Sequence, residues 1–276
     1  RSTKLRSVAS VIAVVFAAGM VAACGGGGGG GASVSPSPPP PPPPTPDGSV
    51  TYRPGRLTKR ENGILLSEGL TSRLIARTGN KVQYGNGKQS SAAFHRIPDG
   101  AACYADPRDS NKGGWIYVSN SEVRENGQGG VGAVTFNSNG QVIDYKKLLG
   151  GTTANCAGGR TPWNSWISCE ETNQGRIWEV DPTGRRPARR ITLGSDGNGG
   201  VGLYESFAFD IRNRNKPDFF VTEDSPKGAL RRFTVNNPNW NDPWNMLHGS
   251  GVTQYLVLKP DDNRNLTGTF DWTTKL

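Results

Sequence analysis

The sequence is poor in several things that other folds require. No window shows the 3.6-residue apolar period of an amphipathic helix, which excludes helical bundles and doubly wound α/β folds. Hydrophobic residues make up only 34%, partly because of a low-complexity head and partly because of turn-forming residues in the body. Arg1 stands where an initiator Met would, so the sequence is expected to be incomplete at this end. Cysteine is scarce: beyond Cys24 there are Cys103, Cys156 and Cys169. An odd number of thiols in an oxidising compartment excludes complete disulfide pairing, leaving either a missing partner or a cysteine with a chemical task. The formal net charge is +9, yet the basic residues form no dense tract. Clusters such as Arg185, Arg186, Arg189 and Arg190 flank an expected turn and read as a solvated face, so no nucleic-acid partner is expected.

What is present begins with an address. Arg1, Lys4 and Arg6 precede the apolar run Val8 to Ala23, which ends in Val-Ala-Ala before Cys24. A basic n-region, an apolar h-region and small residues describe a secretory signal over 1–24. Cysteine directly after Val-Ala-Ala resembles a lipobox, which implies membrane attachment through a lipid on Cys24. An ordinary cleavage site or a short membrane anchor are the alternatives. Export is therefore expected, to a periplasmic, secreted or lipid-anchored surface location. Residues 25–50 hold the glycines Gly25 to Gly31 and the prolines Pro38 to Pro44, a flexible and then semi-rigid tether. A single Asn265-Leu266-Thr267 sequon would matter only in a eukaryotic host.

Roughly 230 residues remain, enough for one large all-β domain over 51–276. After the transitional region from Thr51 to Ala92, and from Pro98-Asp99-Gly100 onward, short apolar runs alternate with Gly, Asn, Asp and Pro. An internal repeat sharpens this. Trp115-Ile116-Tyr117-Val118 leads to Glu122, then Gly132 to Phe136, then the turn Asn137 to Gly140. Trp166-Ile167-Ser168-Cys169 leads to Glu170-Glu171, then Gly175 to Val180, then the turn Asp181 to Gly184. Phe219-Phe220-Val221-Thr222 leads to Glu223-Asp224, then Gly228 to Phe233. The aromatic starts lie 51 and 53 residues apart, the spacing of β-propeller blades. Equivalent strands of successive blades end near one axis, so the acids that close them are expected to converge. Crowded carboxylates repel unless protons or cations intervene, and hard cations such as calcium take oxygen ligands.

The stretch from Gly150 to Thr172 carries Asn155-Cys156-Ala157-Gly158-Gly159, Thr161-Pro162-Trp163 and Cys169-Glu170-Glu171. It resembles the PhoX family of alkaline phosphatases. Pro98-Asp99-Gly100, Asn120-Ser121-Glu122, Tyr204-Glu205-Ser206 with Asp210, and Thr222-Glu223-Asp224 with Gly228 agree with that family in order. The resemblance runs from about Gly63 to the end of the chain. It implies an exported six-bladed propeller that hydrolyses small phosphomonoesters for phosphate scavenging, with an iron (Fe³⁺) and calcium cofactor in its channel. By the same resemblance Cys156 is the thiolate ligand of iron, and Glu205 joins it on iron or calcium. Glu122, Glu170, Glu171, Glu223 and Asp224 are the candidate carboxylate ligands. Asn155 is a candidate for orienting a ligand or donating to phosphate, with a turn role as the alternative. Gly158 and Gly159 are expected to let the backbone pass close to the cluster.

Trp163 and Trp166 are expected to pack the blades. His95 and His248 match no ligand position and are read as structural or surface residues. Two departures accompany the resemblance. Ser121 stands where the family has His, and the chain ends at Leu276 while the family continues through further blades. The 276 residues are therefore expected to form an N-terminal fragment, inactive or poorly folded by itself. The competing functions are a non-catalytic calcium-binding surface propeller and a lactonase-like propeller hydrolase. Both would use the acids, but neither needs Cys156, because calcium does not choose sulfur. A disulfide from Cys156 to Cys169 or Cys103 is the alternative use of that thiol.

Overall fold

The computed structural model describes residues 11–17, 53–191, 201–226, 228–258 and 270–274. Cys24, the 25–50 tether and the Asn265 sequon lie outside the described residues. The chain divides into two units, one of Val11–Ile75 and one of Arg1–Ser10 with Ala76–Leu276. The first unit holds β1 (Val11–Ala17), β2 (Arg53–Glu61), β3 (Ile64–Glu68) and most of β4 (Leu70–Arg77). β2 and β3 form a hairpin turned by Asn62 and Gly63, both at positive φ, where a tight turn requires it. Asn62 is held there by its amide donating to the carbonyl and hydroxyl of Ser72.

The second unit is built from antiparallel meanders. A small hairpin of β5 (Lys81–Gln83) and β6 (Gln89–Ala93) comes first. The first large sheet runs β7 (Pro98–Ala105), β8 (Trp115–Ser121), β9 (Gly129–Phe136) and β10 (Val142–Thr152), each strand pairing with the next. The second runs β11 (Asn155–Arg160), β12 (Trp166–Glu170), β13 (Ile177–Val180) and β14 (Arg189–Ile191). The third runs β15 (Tyr204–Asp210), β16 (Asp218–Glu223), β17 (Arg231–Val235), β18 (Gly251–Leu258) and β19 (Phe270–Thr273). Three consecutive up-and-down sheets packed on one another are β-propeller blades, so the expected all-β propeller class holds. They do not close into a ring among the described residues. Helical structure there is confined to short 3₁₀ turns at Asp109–Asn111 and Pro243–His248. Among the described residues no helix is long and apolar enough to cross a membrane.

The repeat read from the sequence is the second strand of each blade: β8, β12 and β16. These strands are legible because they lie inside their sheets and are covered on both faces. All five residues of β12 and all eight of β9 are buried. The two-residue period of β12 sends Trp166 into the apolar layer with Tyr104, Ile116 and Val118 of the first blade. Its neighbours Ile167 and Cys169 face Tyr204, Phe207 and Phe219 of the third. Trp166 therefore packs between blades, as expected, and Trp163 borders the second core layer.

The first strands β7, β11 and β15 lie side by side, one per blade. Their glycines permit this closeness. A Cβ on Gly100 would sit 2.7 Å from the Cα of Ala157 and 2.8 Å from the carbonyl of Cys156. Gly159 meets the carbonyl of Phe207, and Gly158 (φ +152°) meets that of Ile167. Gly158 and Gly159 thus serve the approach of neighbouring strands rather than the passage of backbone past the acidic cluster.

Candidate metal centre

Each first strand begins in the same way. Pro98, Asn155 and Tyr204 pair with Ser121, Glu170 and Glu223, and in each ladder the register breaks immediately afterwards. The residue that follows, Asp99, Cys156 or Glu205, sits in the irregular stretch. A bulge re-aims a side chain that regular pleating would send elsewhere. The acid after each second strand is fixed by one repeated bond. The backbone N–H groups of Glu122, Glu171 and Asp224 donate to the carbonyls of Ile97, Ala154 and Leu203, each at 2.9 Å. Ile97 and Ala154 have φ of 44° and 48°, so strain is stored beside the site.

Five of these side chains converge. One ligand atom each from Asp99, Glu122 and Cys156 lie within 4.8 Å of one another, and the same holds for Cys156, Glu171 and Glu205. Cys156 is common to both groups. Its thiol sulfur is 3.6 Å from Asp99 Oδ2 and 3.5 Å from Glu205 Oε1. Arg124 donates to Glu122 Oε1 at 2.6 Å and to Glu171 Oε2 at 2.8 Å, tying the two groups together at the surface.

The electrostatics show a site short of positive charge. Burial pushes the Cys156 thiol well above its ordinary range, and the charges of Asp99, Glu205 and Glu122 push the same way. Burial raises Glu122, as does its hydrogen bond with Asp99, while Arg124 pulls it down. Burial raises Glu205; the bond with Cys156 lowers it, and the charges of Glu171, Asp224 and Asp99 raise it again. Such surroundings oppose a free thiolate nucleophile, whereas a bound cation reverses the balance and deprotonates the thiol. The donor set fits this: one sulfur suits a transition metal, and several carboxylates suit hard cations.

Of the residues expected from sequence, Cys156, Glu205, Glu122 and Glu171 come together. Asp224 is exposed and close enough to Glu205 to act on it electrostatically. Glu170 and Glu223 lie outside the group, their carboxylates already engaged. Glu170 accepts from the backbone N–H of Thr153 (2.7 Å), that of Arg176 (3.0 Å) and Trp178 Nε1 (3.0 Å). Glu223 accepts from Arg231 at 2.6 Å and from the N–H of Ala229. Asn155 is buried, accepting from Thr152 Oγ1 and donating to Ser168 Oγ. His95 is buried against Tyr145 and Ser119, and His248 reaches the buried Glu179. Among the described residues Cys103, Cys156 and Cys169 form no disulfide.

Sequence reasoning counted Pro98-Asp99-Gly100 in the family resemblance but gave Asp99 no ligand role; in the fold the segment opens β7. Aligning the first strands of the blades would have found it.

A family profile described as Alkaline phosphatase PhoX matches residues 109–217. Over this stretch the chain is similar to the PhoX family. The matched stretch contains Glu122, Cys156, Glu171 and Glu205, while Asp99 and Asp224 flank it. Among solved structures the chain is similar to Pseudomonas fluorescens PhoX in complex with vanadate, a transition state analogue. The TM-score is 0.57 at 13% sequence identity, over 75% of this chain and 55% of that one. This likeness concerns the fold, and the chain spans about half the length of that structure. No curated protein matches the chain.

Proposed function

We propose that this chain carries part of the centre of a metal-dependent phosphatase acting on small phosphomonoesters. The observation that carries the reading is the placement of Asp99, Cys156 and Glu205 at one equivalent position on three adjacent strands, with Glu122 and Glu171 beside them. The match of residues 109–217 to the PhoX family profile and the fold shared with a vanadate-bound structure support it. Cys156 and Glu205 would hold iron, and Asp99, Glu122, Glu171 and Asp224 would hold calcium. When bound, these ions supply Lewis-acid polarisation of a phosphoryl oxygen and offset the charge of the ester.

The protein's own groups do the rest. The carboxylates collect positive charge at a mouth that would otherwise repel a phosphate. The bulges fix the donors on strands rather than loops, which limits their motion. Arg124, whose side chain is 63% exposed, offers a planar guanidinium at the same mouth, suited to two phosphate oxygens. A calcium-only propeller would have no use for a thiol among its carboxylates, and this sets the phosphatase reading ahead of the binding-module and lactonase-like readings. We also assign the protein to the outside of the cytoplasm, on the strength of the basic and apolar leader over residues 1–24.

The test is metal analysis of the purified chain alongside hydrolysis of p-nitrophenyl phosphate. Iron and calcium should copurify, and Cys156→Ala should lose iron while retaining calcium. A chain that binds calcium alone, or a C156A protein with undiminished iron, would overturn the assignment.

A further inference from the structure

We infer that Asn120 is a positioning residue that sets the direction of the Cys156 thiol. The inference rests on the metal reading only for its consequence, since the geometry stands without it. Asn120 lies on β8 in the first blade and is fully buried. Its amide nitrogen donates to the carbonyls of Cys156 at 2.8 Å and Ala157 at 2.7 Å, on β11 of the second blade. Its oxygen accepts from Trp166 Nε1 and Ser168 Oγ on β12, both at 2.9 Å. Two donors and two acceptor positions are the whole capacity of the group, so every one is used.

The pair of carbonyls is the telling feature. In a regular strand, successive carbonyls point to opposite sides, and one amide cannot reach both. They turn the same way here because the β11 register breaks between Asn155 and Gly158. Asn120 therefore grips the bulge itself, at the residue whose thiol joins both ligand groups. Trp166 and Ser168 in turn fix which end of the amide faces the carbonyls.

A core asparagine that merely fills space would show no such selectivity between blades. The equivalent position in the third blade is Thr222, whose hydroxyl accepts from the N–H of Ser206 in its own sheet. In the second it is Cys169, buried in apolar surroundings. Of these three positions, Asn120 is the one that hydrogen-bonds to a neighbouring blade's bulge, and that bulge bears the sulfur. Removing it should loosen the thiol without loosening the sheet.

The experiment measures iodoacetamide alkylation of the metal-free full chain, resolved by peptide mass spectrometry, for wild type and Asn120→Asp. An aspartate fills the same space but offers no paired N–H donors. Cys156 should alkylate about tenfold faster, while the fully buried Cys169 keeps its wild-type rate and so reports that the sheets remain closed. Cobalt titration should show a sulfur-to-cobalt charge-transfer band in wild type that is about tenfold harder to saturate in N120D. An unchanged Cys156 rate in folded N120D overturns the inference.

Should N120D unfold, with Cys169 reacting as in denatured chain, Trp166→Phe decides. It keeps Asn120 and removes one bond to its oxygen, and should raise the Cys156 rate about threefold; an unchanged rate overturns the inference. A wild-type chain with no cobalt band but a Cys156 rate that responds to N120D would sink the metal reading and leave the positioning role standing.

Discussion

Glu170 and Glu171 are adjacent acids that the structure gives opposite duties, and substituting each separates them. Glu170→Ala removes the acceptor of three N–H donors, from Thr153, Arg176 and Trp178. Each donor stranded on folding costs about 1–1.5 kcal/mol, toward the low end of the usual range. The low end applies because Glu170 lines an open cleft of about 560 Å³ with Arg176 and Trp178, through which water can reach the donors. The sum is about 3–4.5 kcal/mol. For a unit of this size that lowers Tm by roughly 6–18 °C. Glu171→Gln keeps the shape of its side chain and loses a charge at the cluster, so Tm should move little. Calcium affinity should fall at least about tenfold, because ligand charge sets affinity at such sites. Calorimetric melting of the metal-free proteins, paired with calcium titration, checks both. If E170A melts with wild-type Tm and loses calcium as E171Q does, the assignment of the two acids is wrong.

Other outcomes follow from the same geometry. Arg124→Gln removes two exposed ion pairs worth about 0.5 kcal/mol each and a cation that competes for Glu122 and Glu171, so calcium should bind the variant roughly fivefold tighter by titration calorimetry. Gly100→Ala places a methyl group against the backbone of Cys156 and Ala157, costing about 1–3 kcal/mol and weakening cobalt binding at Cys156, read by melting and by the thiolate band. His95 is held neutral by burial, with its pKa pulled from 6.5 to about 4. The unfolded chain binds that proton first, so the stability His95 contributes is complete above about pH 6.5 and is lost as pH falls toward 4. The loss is about 3 kcal/mol in urea titrations, and His95→Gln should flatten it.

The second strands could be read directly from sequence because packing on both faces forces apolar runs such as Trp166 to Cys169. Their closing acids came with them, which gave Glu122 and Glu171 in the cluster and Asp224 beside it. It also gave Glu170 and Glu223, since one-residue differences at a strand end decide whether a carboxylate joins the acidic cluster or caps a backbone N–H. The first strands were hidden. PDGAACYA, NCAGGR and YESFAFD share neither residue type nor alternation, because their inner positions are chosen for close approach and for ligands rather than for apolar burial. Cys156 was found through a motif and Asp99 was not, although the two occupy the same place in adjacent blades. Asn120 entered only as part of the Asn120-Ser121-Glu122 motif, and its role was not legible because its four bonds go to residues 36 to 48 positions away.

X-ray absorption at the iron edge of the metal-loaded chain tests the central claim most directly. One sulfur in the coordination shell of iron is expected, replaced by oxygen or nitrogen alone in Cys156→Ser, while Cys169→Ser and Cys103→Ser leave the shell intact. An iron shell without sulfur in the wild-type chain, or a sulfur that survives C156S, would contradict a metal centre built around Cys156.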